Sequence, residues 1–313
     1  MSMIERETFL TLPTDEVAKL VRAAGPQVCV FPINGTRRWF SLEYATESER
    51  GLDASSLFLE ATTQTQIELY KFIFSDGIST VLTPIFGPDL LERGEEYLEV
   101  AAKAMVRLAT DPNFLFFYQE YKVRVRFYGD YRKHLGGTKF SYVCDLFDLI
   151  TKQTAHNQGC QLFYGVFAND ATETVAELSV RHFQKTGNIP SRRELIEQYY
   201  GEFVEQVSLF IGFDKFSAFD MPLISTGDED LYFTVSPSLY LTREQFRDIL
   251  YDHLFTRQGE DPNFSTLQPA ARIWLKDFYQ VNLRKTLGIG TKQYGVWIPL
   301  PQVELPPDHL AGN

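Results

Sequence analysis

Short apolar runs alternate along this chain with longer segments whose apolar residues recur every three or four positions. The runs at 28–33, 78–86, 122–128, 161–167, 209–213 and 231–235 read as β-strands. Between them lie helical patterns. Thr14 opens one as an N-cap, with Val17, Leu20 and Val21 as its apolar face, and Gly25-Pro26 stops it. Residues 56–75 form another, marked by Leu59, Ile67, Tyr70, Phe72 and Phe74 and closed by Asp76-Gly77. Further helices are expected at about 94–110 and 114–121, and after Gly129-Asp130. One more runs from an Asn169-Asp170 cap to about His182. Ser191 and Glu194 have the spacing of a capping box, and their helix reads on to about Val207. A last helix opens at Leu241-Thr242-Arg243-Glu244 and runs to about Leu254. Strands spaced by helices argue for one α/β domain: about six mostly parallel strands surrounded by helices. A ligand would then lie outside the carboxyl ends of the strands. The polar, glycine-interrupted stretch between Glu43 and Ser56 reads as a mobile loop, and Pro299 to Asn313 as a loose tail.

At 313 residues and 44% hydrophobic content the chain is large enough for one sizeable core. A net charge of −11 argues against a nucleic-acid binder, so local basic clusters carry more information than the total. Cys29, Cys144 and Cys160 form no close metal-ligand pair and suit buried thiols in a reducing cytoplasm. Charged Glu5, Arg6 and Glu7 do not read as a signal peptide, and no apolar run reaches the length of a membrane span. Aromatic residues make up 14% of the chain, which fits a large apolar pocket or an aromatic-rich core.

One strand end stands out chemically. The run from Val28 passes into Asn34-Gly35-Thr36-Arg37-Arg38-Trp39-Phe40. Gly35 allows a close backbone approach, and free N–H groups at a following helix start would face an anion. Adjacent guanidiniums supply forked donors that match phosphate oxygens. Trp39 and Phe40 would add apolar surface, suiting a ligand that is anionic at one end and greasy at the other. A strand, a turn and two solvated arginines account for the same pattern equally well. Elsewhere there is no Gly-x-Gly-x-x-Gly, no Walker loop and no acid-rich terpene-synthase motif. Ser217 and Ser225 lack a nucleophile elbow, and His134 and His182 lack partners at metal spacing.

The Asn34–Trp39 stretch resembles the Asp-Gly-Asn-Gly-Arg-Trp signature of cis-prenyltransferases, the undecaprenyl diphosphate synthase fold. It is more similar still to their offshoot acting on bicyclic diterpenyl diphosphates, the group of tuberculosinyl adenosine transferase (isotuberculosinol synthase) and kolavelool synthase. Phe127-Tyr128-Gly129-Asp130-Tyr131, the stretch from Gly165 to Ala171, Arg192-Arg193-Glu194, Tyr199-Tyr200-Gly201-Glu202, Phe210-Ile211-Gly212-Phe213 and Leu231-Tyr232-Phe233-Thr234-Val235 follow in the same order. The resemblance spans about residues 7–255. It implies a catalytic unit over 1–258, a docking extension over 259–313, an apolar tunnel at the strand ends and a homodimer.

For the site, the resemblance implies that Arg38 grips a substrate diphosphate, with Arg37 beside it. Asn34, Arg37, Arg38 and Phe58 become the candidate catalytic residues; Gly35, Thr36, Trp39, Phe86 and Arg93 become substrate-binding ones. Mg²⁺ is the implied cofactor. Three departures qualify this picture. Asn34 stands where the family has a metal-linked aspartate, and an amide brings no charge to a hard cation. Either the diphosphate holds the metal, or another carboxylate such as Asp230 helps, or the chain is inactive. Phe58 stands where the tuberculosinyl enzyme has a functional tyrosine, which tells against transfer to adenosine. Gly212 to Ser217 carries only Lys215 where chain-elongating relatives bind an acceptor diphosphate with arginines, so elongation is not expected. The leading expectation is therefore a diterpene synthase that ionises a bicyclic C20 diphosphate and quenches the cation with water. The alternatives are transfer of the same group to a nucleoside or other nucleophile, and a non-catalytic binding protein.

Overall fold

The computed structural model describes residues 4–25, 27–46, 54–168, 171–258, 263–300 and 303–306. Val28, Cys29 and Val30 are buried on both faces, as a continuous apolar run demands, and form β1 (Val28–Val30) at the middle of the sheet. On one side β1 pairs with β2 (Thr80–Phe86), which pairs with β4 (Cys160–Val166), which pairs with β3 (Val123–Tyr128). On the other side lie β5 (Leu209–Phe213) and the edge strand β6 (Asp230–Thr234). The order is β3-β4-β2-β1-β5-β6 and every pairing is parallel. The expected α/β architecture is therefore the observed one, with six strands. A separate antiparallel pair, β7 (Gly290–Gln293) and β8 (Val296–Pro299), lies near the C-terminus, after a helix at Pro269–Val281 that buries none of its residues.

Helices cover both faces of the sheet. The helix α1 (Ala54–Ser75) buries ten residues, nine of them on one broad face, while Glu60, Gln64 and Glu68 on the opposite side stay exposed. It descends from the carboxyl ends of the strands towards their amino ends. Tyr70 on this helix bonds Thr83 of β2 at 3.2 Å and packs on Phe117 and Tyr164. Burial pushes the Tyr70 phenol well above its ordinary range.

Several helix ends differ from the periodicity. Thr14 is the first helical residue rather than the cap; its hydroxyl accepts from Arg243 at 2.8 Å. The Ser191–Glu194 capping box is present, but its helix stops at Tyr200, where Gly201 turns left-handed at φ 82°. The helix at Arg243–Tyr251 passes into a π-helical turn at Asp252–Thr256. The Asn169-Asp170 cap, Pro26 and residues 47–53 of the polar loop lie outside the described residues. Among the described residues no helix is long and apolar enough to cross a membrane.

Asp76, just past the end of α1, is fully buried. It accepts from Arg243 Nη2 at 2.6 Å and from Arg247 Nη2 at 3.2 Å, and Arg247 donates onward to the carbonyls of Leu10 and Leu12. One carboxylate thus ties the N-terminal helices, the end of α1 and the helix at Arg243–Tyr251 together. Removing one partner of a buried pair leaves an uncompensated charge. Asp76→Ala is therefore expected to cost about 3–5 kcal/mol in urea unfolding; a loss below about 1 kcal/mol would show that the two arginines find water instead.

Candidate functional site

Beyond β1 the chain keeps following β2: Phe31 N–H donates to Leu82 O at 2.8 Å and Ile33 N–H to Pro84 O at 3.1 Å. Ser238, almost wholly buried, then holds the turn. Its hydroxyl donates to Pro32 O at 2.9 Å and accepts from Asn34 N–H at 3.0 Å, while its own N–H donates to Asn34 O at 3.1 Å. Gly35 follows at φ 75° and caps the helix α2 (Thr36–Glu43). The first amides of this helix open onto a cleft, so they are available to an anion.

The cleft has a volume of about 570 Å³ and is lined by Asn34, Gly35, Thr36, Arg37, Arg38 and Arg93, among others. Three guanidiniums ring it. Arg37 and Arg93 lie over the Tyr97 ring at 5.5 and 5.0 Å, and Arg93 also donates to the Tyr97 hydroxyl at 3.2 Å and pairs with Asp89. Arg38 lies over Phe213 at 5.2 Å and reaches Asp214 Oδ2 at 3.4 Å. The arginines of two distant sequence segments therefore share one polar cavity with the Asn34 loop.

An apolar chamber adjoins it, sharing Ile33, Thr36 and Ile85 with the cleft. Phe58, Phe86, Leu108 and Phe114 line it, and Phe58 stands edge-on to Phe40 at 5.2 Å. At about 80 Å³ it is narrow; ligand pockets usually run to roughly 300–1,000 Å³. A bulky apolar ligand would have to part α1 from the helix α3 (Glu95–Thr110). The lining is not all apolar: Thr62, Thr63, Gln66 and Arg107 also face it.

The structure brings together Asn34, Gly35, Thr36, Arg37, Arg38 and Arg93 in the cleft, and Phe58 and Phe86 in the chamber. Two expected site residues are elsewhere. Trp39 is 6% exposed, lines neither cavity and packs on Tyr44 at 5.6 Å, because α2 turns it to the face opposite the arginines. Asp230 is the larger correction. It opens β6, level with Leu209 and hence with Cys29. Asn34 lies five residues further along, roughly 16 Å away at about 3.3 Å per strand residue. Asp230 instead meets His253 Nδ1 at 2.7 Å and Arg257 at 3.3 Å, so within one chain it shares no metal with Asn34.

Ser238, Asp214 and Tyr97 escaped the sequence reading, as did the polar lining of the chamber. Ser238 is 204 residues from Asn34 and sits in no motif, so nothing local marks it. Among the described residues no three His, Cys, Asp or Glu side chains gather as metal ligands. Asp89 in the cleft and Asp214 beside Arg38 are engaged by arginines, and Asn34 offers only an amide oxygen. These residues do not fit a magnesium site held by protein alone. A larger cavity of about 670 Å³ opens at the end of β3, beside Asp130, Arg132 and Tyr199, but no residue of the cradle lines it.

No family model matches the chain. It is 42% identical over 299 residues to tuberculosinyl adenosine transferase of Mycobacterium tuberculosis (strain CDC 1551 / Oshkosh), covering 95% of this chain and 99% of that one. It is 25% identical over 283 residues to (+)-kolavelool synthase of Herpetosiphon aurantiacus, covering 89% and 91%. Two solved structures share its fold at 14% identity. Lavandulyl diphosphate synthase from Lavandula x intermedia, in complex with dimethylallyl diphosphate, aligns with a TM-score of 0.57 over 78% of this chain and 99% of that one. A probable undecaprenyl diphosphate synthase from Campylobacter jejuni aligns with 0.50 over 75% and 96%.

A methyl group at Gly35 would lie 2.8 Å from the Phe213 ring and 3.0 Å from Pro237, on a backbone that side chains avoid. The left-handed conformation alone costs roughly 1–2 kcal/mol. Gly35→Ala is expected to lower stability by at least that much and to displace Phe213 from beneath Arg38. Urea unfolding checks the first effect and a crystal structure of the variant the second.

Proposed function

The chain belongs to the family of tuberculosinyl adenosine transferase, on the cis-prenyltransferase fold, and from that premise we propose that it transfers a diterpenyl group from an allylic C20 diphosphate to a nucleoside or a nucleophile of similar kind. The observation that carries this reading is the 42% identity to a named adenosine transferase along 95% of the chain. It supports nucleophile transfer over water capture, the reverse of the order expected from Phe58 alone. The geometry supports the common part of both: a ring of arginines adjoins an apolar chamber, as a diphosphate joined to a hydrocarbon requires.

In this reading Arg37, Arg38 and Arg93 bind the diphosphate, and Gly35 and Thr36 present helix-start donors to it. Phe58 and Phe86 face the prenyl group. The allylic C–O bond breaks, diphosphate leaves with the bonding pair, and the nucleophile forms the new bond to carbon. Donors aimed at the departing oxygens stabilise charge as it develops there. Aromatic faces beside the cation favour it electrostatically and keep water away. Mg²⁺ would arrive held largely by the diphosphate, neutralising part of its charge, with Asn34 as an amide neighbour. Residues 1–258 would form the catalytic unit, 259–313 its docked extension, and the enzyme would act as a homodimer.

Water capture remains the second reading, favoured by the bare Phe58 ring in the chamber. Incubation with bicyclic C20 diphosphates, with and without adenosine and other nucleosides, separates the outcomes by mass spectrometry. An adduct is expected. A diterpene alcohol alone would establish the second reading, and unchanged, bound diphosphate would leave a binding protein.

Arg38→Ala is expected to weaken binding of inorganic diphosphate by about 1.5–3 kcal/mol, the usual worth of a charged hydrogen bond, while leaving the circular dichroism unchanged. Arg37→Ala should cost less. Parent-like binding by Arg38→Ala in titration calorimetry would remove that residue from the cradle.

Asn34→Asp probes the metal. A carboxylate beside Mg²⁺ retains the ion against water, so single-turnover release of diphosphate should be faster and depend more steeply on Mg²⁺. A variant slower than the parent at every Mg²⁺ concentration would mean that added negative charge simply repels the substrate.

A further inference from the structure

Resting on the diterpenyl-diphosphate reading above, we propose that Gln66 recognises a hydrogen-bonding oxygen on the ring portion of the substrate, so that the preferred C20 diphosphate is a hydroxylated one. Gln66 is 7% exposed and lines the apolar chamber, and among the described residues its amide makes no hydrogen bond. An amide in so enclosed a place, with no protein partner, loses what hydration it has when a ligand fills the space. Thr36 stands at the end of the chamber shared with the cleft, and the polar groups further in, Gln66 apart, are engaged within the protein. The Thr62 hydroxyl donates to Phe58 O at 2.6 Å. The Thr63 hydroxyl oxygen accepts from Arg107 Nε at 3.1 Å, and Arg107 Nη2 pairs with Asp111 at 2.6 Å. At the inner end of the chamber Gln66 is left facing the space the prenyl group would fill.

Its place along α1 says which part of the ligand it meets. Phe58, Thr62, Gln66 and Tyr70 follow at intervals of four, on one helix face. Phe58 lies towards the cradle, against Phe40 of α2. Tyr70 lies below the chamber, packed on Phe117 and Tyr164 and bonded to Thr83. Gln66 is thus the innermost residue of this face that lines the chamber, about 12 Å beyond Phe58 by helix rise. With the diphosphate in the cleft, the inner end of the chamber takes the ring system. A C20 group filling that space displaces water, and a pure hydrocarbon offers the amide nothing in return. A ring hydroxyl both donates and accepts, matching the two halves of a carboxamide.

The test measures kcat/KM for diphosphate release with two bicyclic C20 allylic diphosphates, one bearing a ring hydroxyl and one without, using the parent, Gln66→Leu and Thr62→Val. Sites built to bond a hydroxyl discriminate strongly against analogues lacking it, so the parent should favour the hydroxylated substrate by at least about tenfold. Gln66→Leu, close in volume, should abolish that ratio. Thr62→Val, whose hydroxyl serves the helix backbone, should keep it. No preference in the parent, or a preference retained in Gln66→Leu, overturns the role of Gln66 and leaves the diterpenyl reading standing. If neither diphosphate is turned over or bound by the parent, the diterpenyl reading itself fails, and this inference with it.

Discussion

The site depends on how a parallel strand can end. Once β1 leaves the sheet, its polar backbone groups need partners, and buried ones rarely go without. Ser238 supplies them from the segment that follows β6, closing three hydrogen bonds around Pro32 and Asn34. That clamp fixes where Gly35 turns, hence where α2 begins and which way Arg37 and Arg38 project. Phe213 and Pro237 press on Gly35 from the same side, so the cradle is shaped by three segments meeting at one turn.

The two compartments use opposite physics across a shared wall. In the open cleft the arginines are solvated, and any single charge interaction is screened over about 8–10 Å. Affinity there must come from several donors converging on one anion. In the chamber the same wall residues, Ile33 and Ile85, exclude water, and burial of apolar surface does the holding. A ligand spanning both would pass Ile33, Thr36 and Ile85, which line each compartment.

Much of the fold was legible because the runs 28–33, 78–86 and 209–213 are apolar enough to be buried on both faces, and only a parallel sheet covered by helices accommodates that. The arginine cradle was legible for a local reason, since its residues adjoin one another. Three things were not. Periodicity cannot see a left-handed glycine, so the helix after Ser191 was read past Gly201. A motif resemblance does not give depth along a strand, and Asp230 lies level with Cys29 rather than with the Asn34 turn. Nor can either pair residues such as Asn34 and Ser238, which meet only after folding.

Arg38 is not idle before an anion arrives: Asp214 already sits within 3.4 Å of it, itself held at φ 69°. Any incoming anion competes with a resident carboxylate for the same guanidinium. A chloride or a singly charged ester offers little more than Asp214 does and pays the cost of displacing it. A diphosphate, with several charged oxygens reaching Arg37, Arg38 and Arg93 together, gains more than the exchange costs. In the diphosphate reading, the resident acid would set a threshold on charge that weaker anions meet less well.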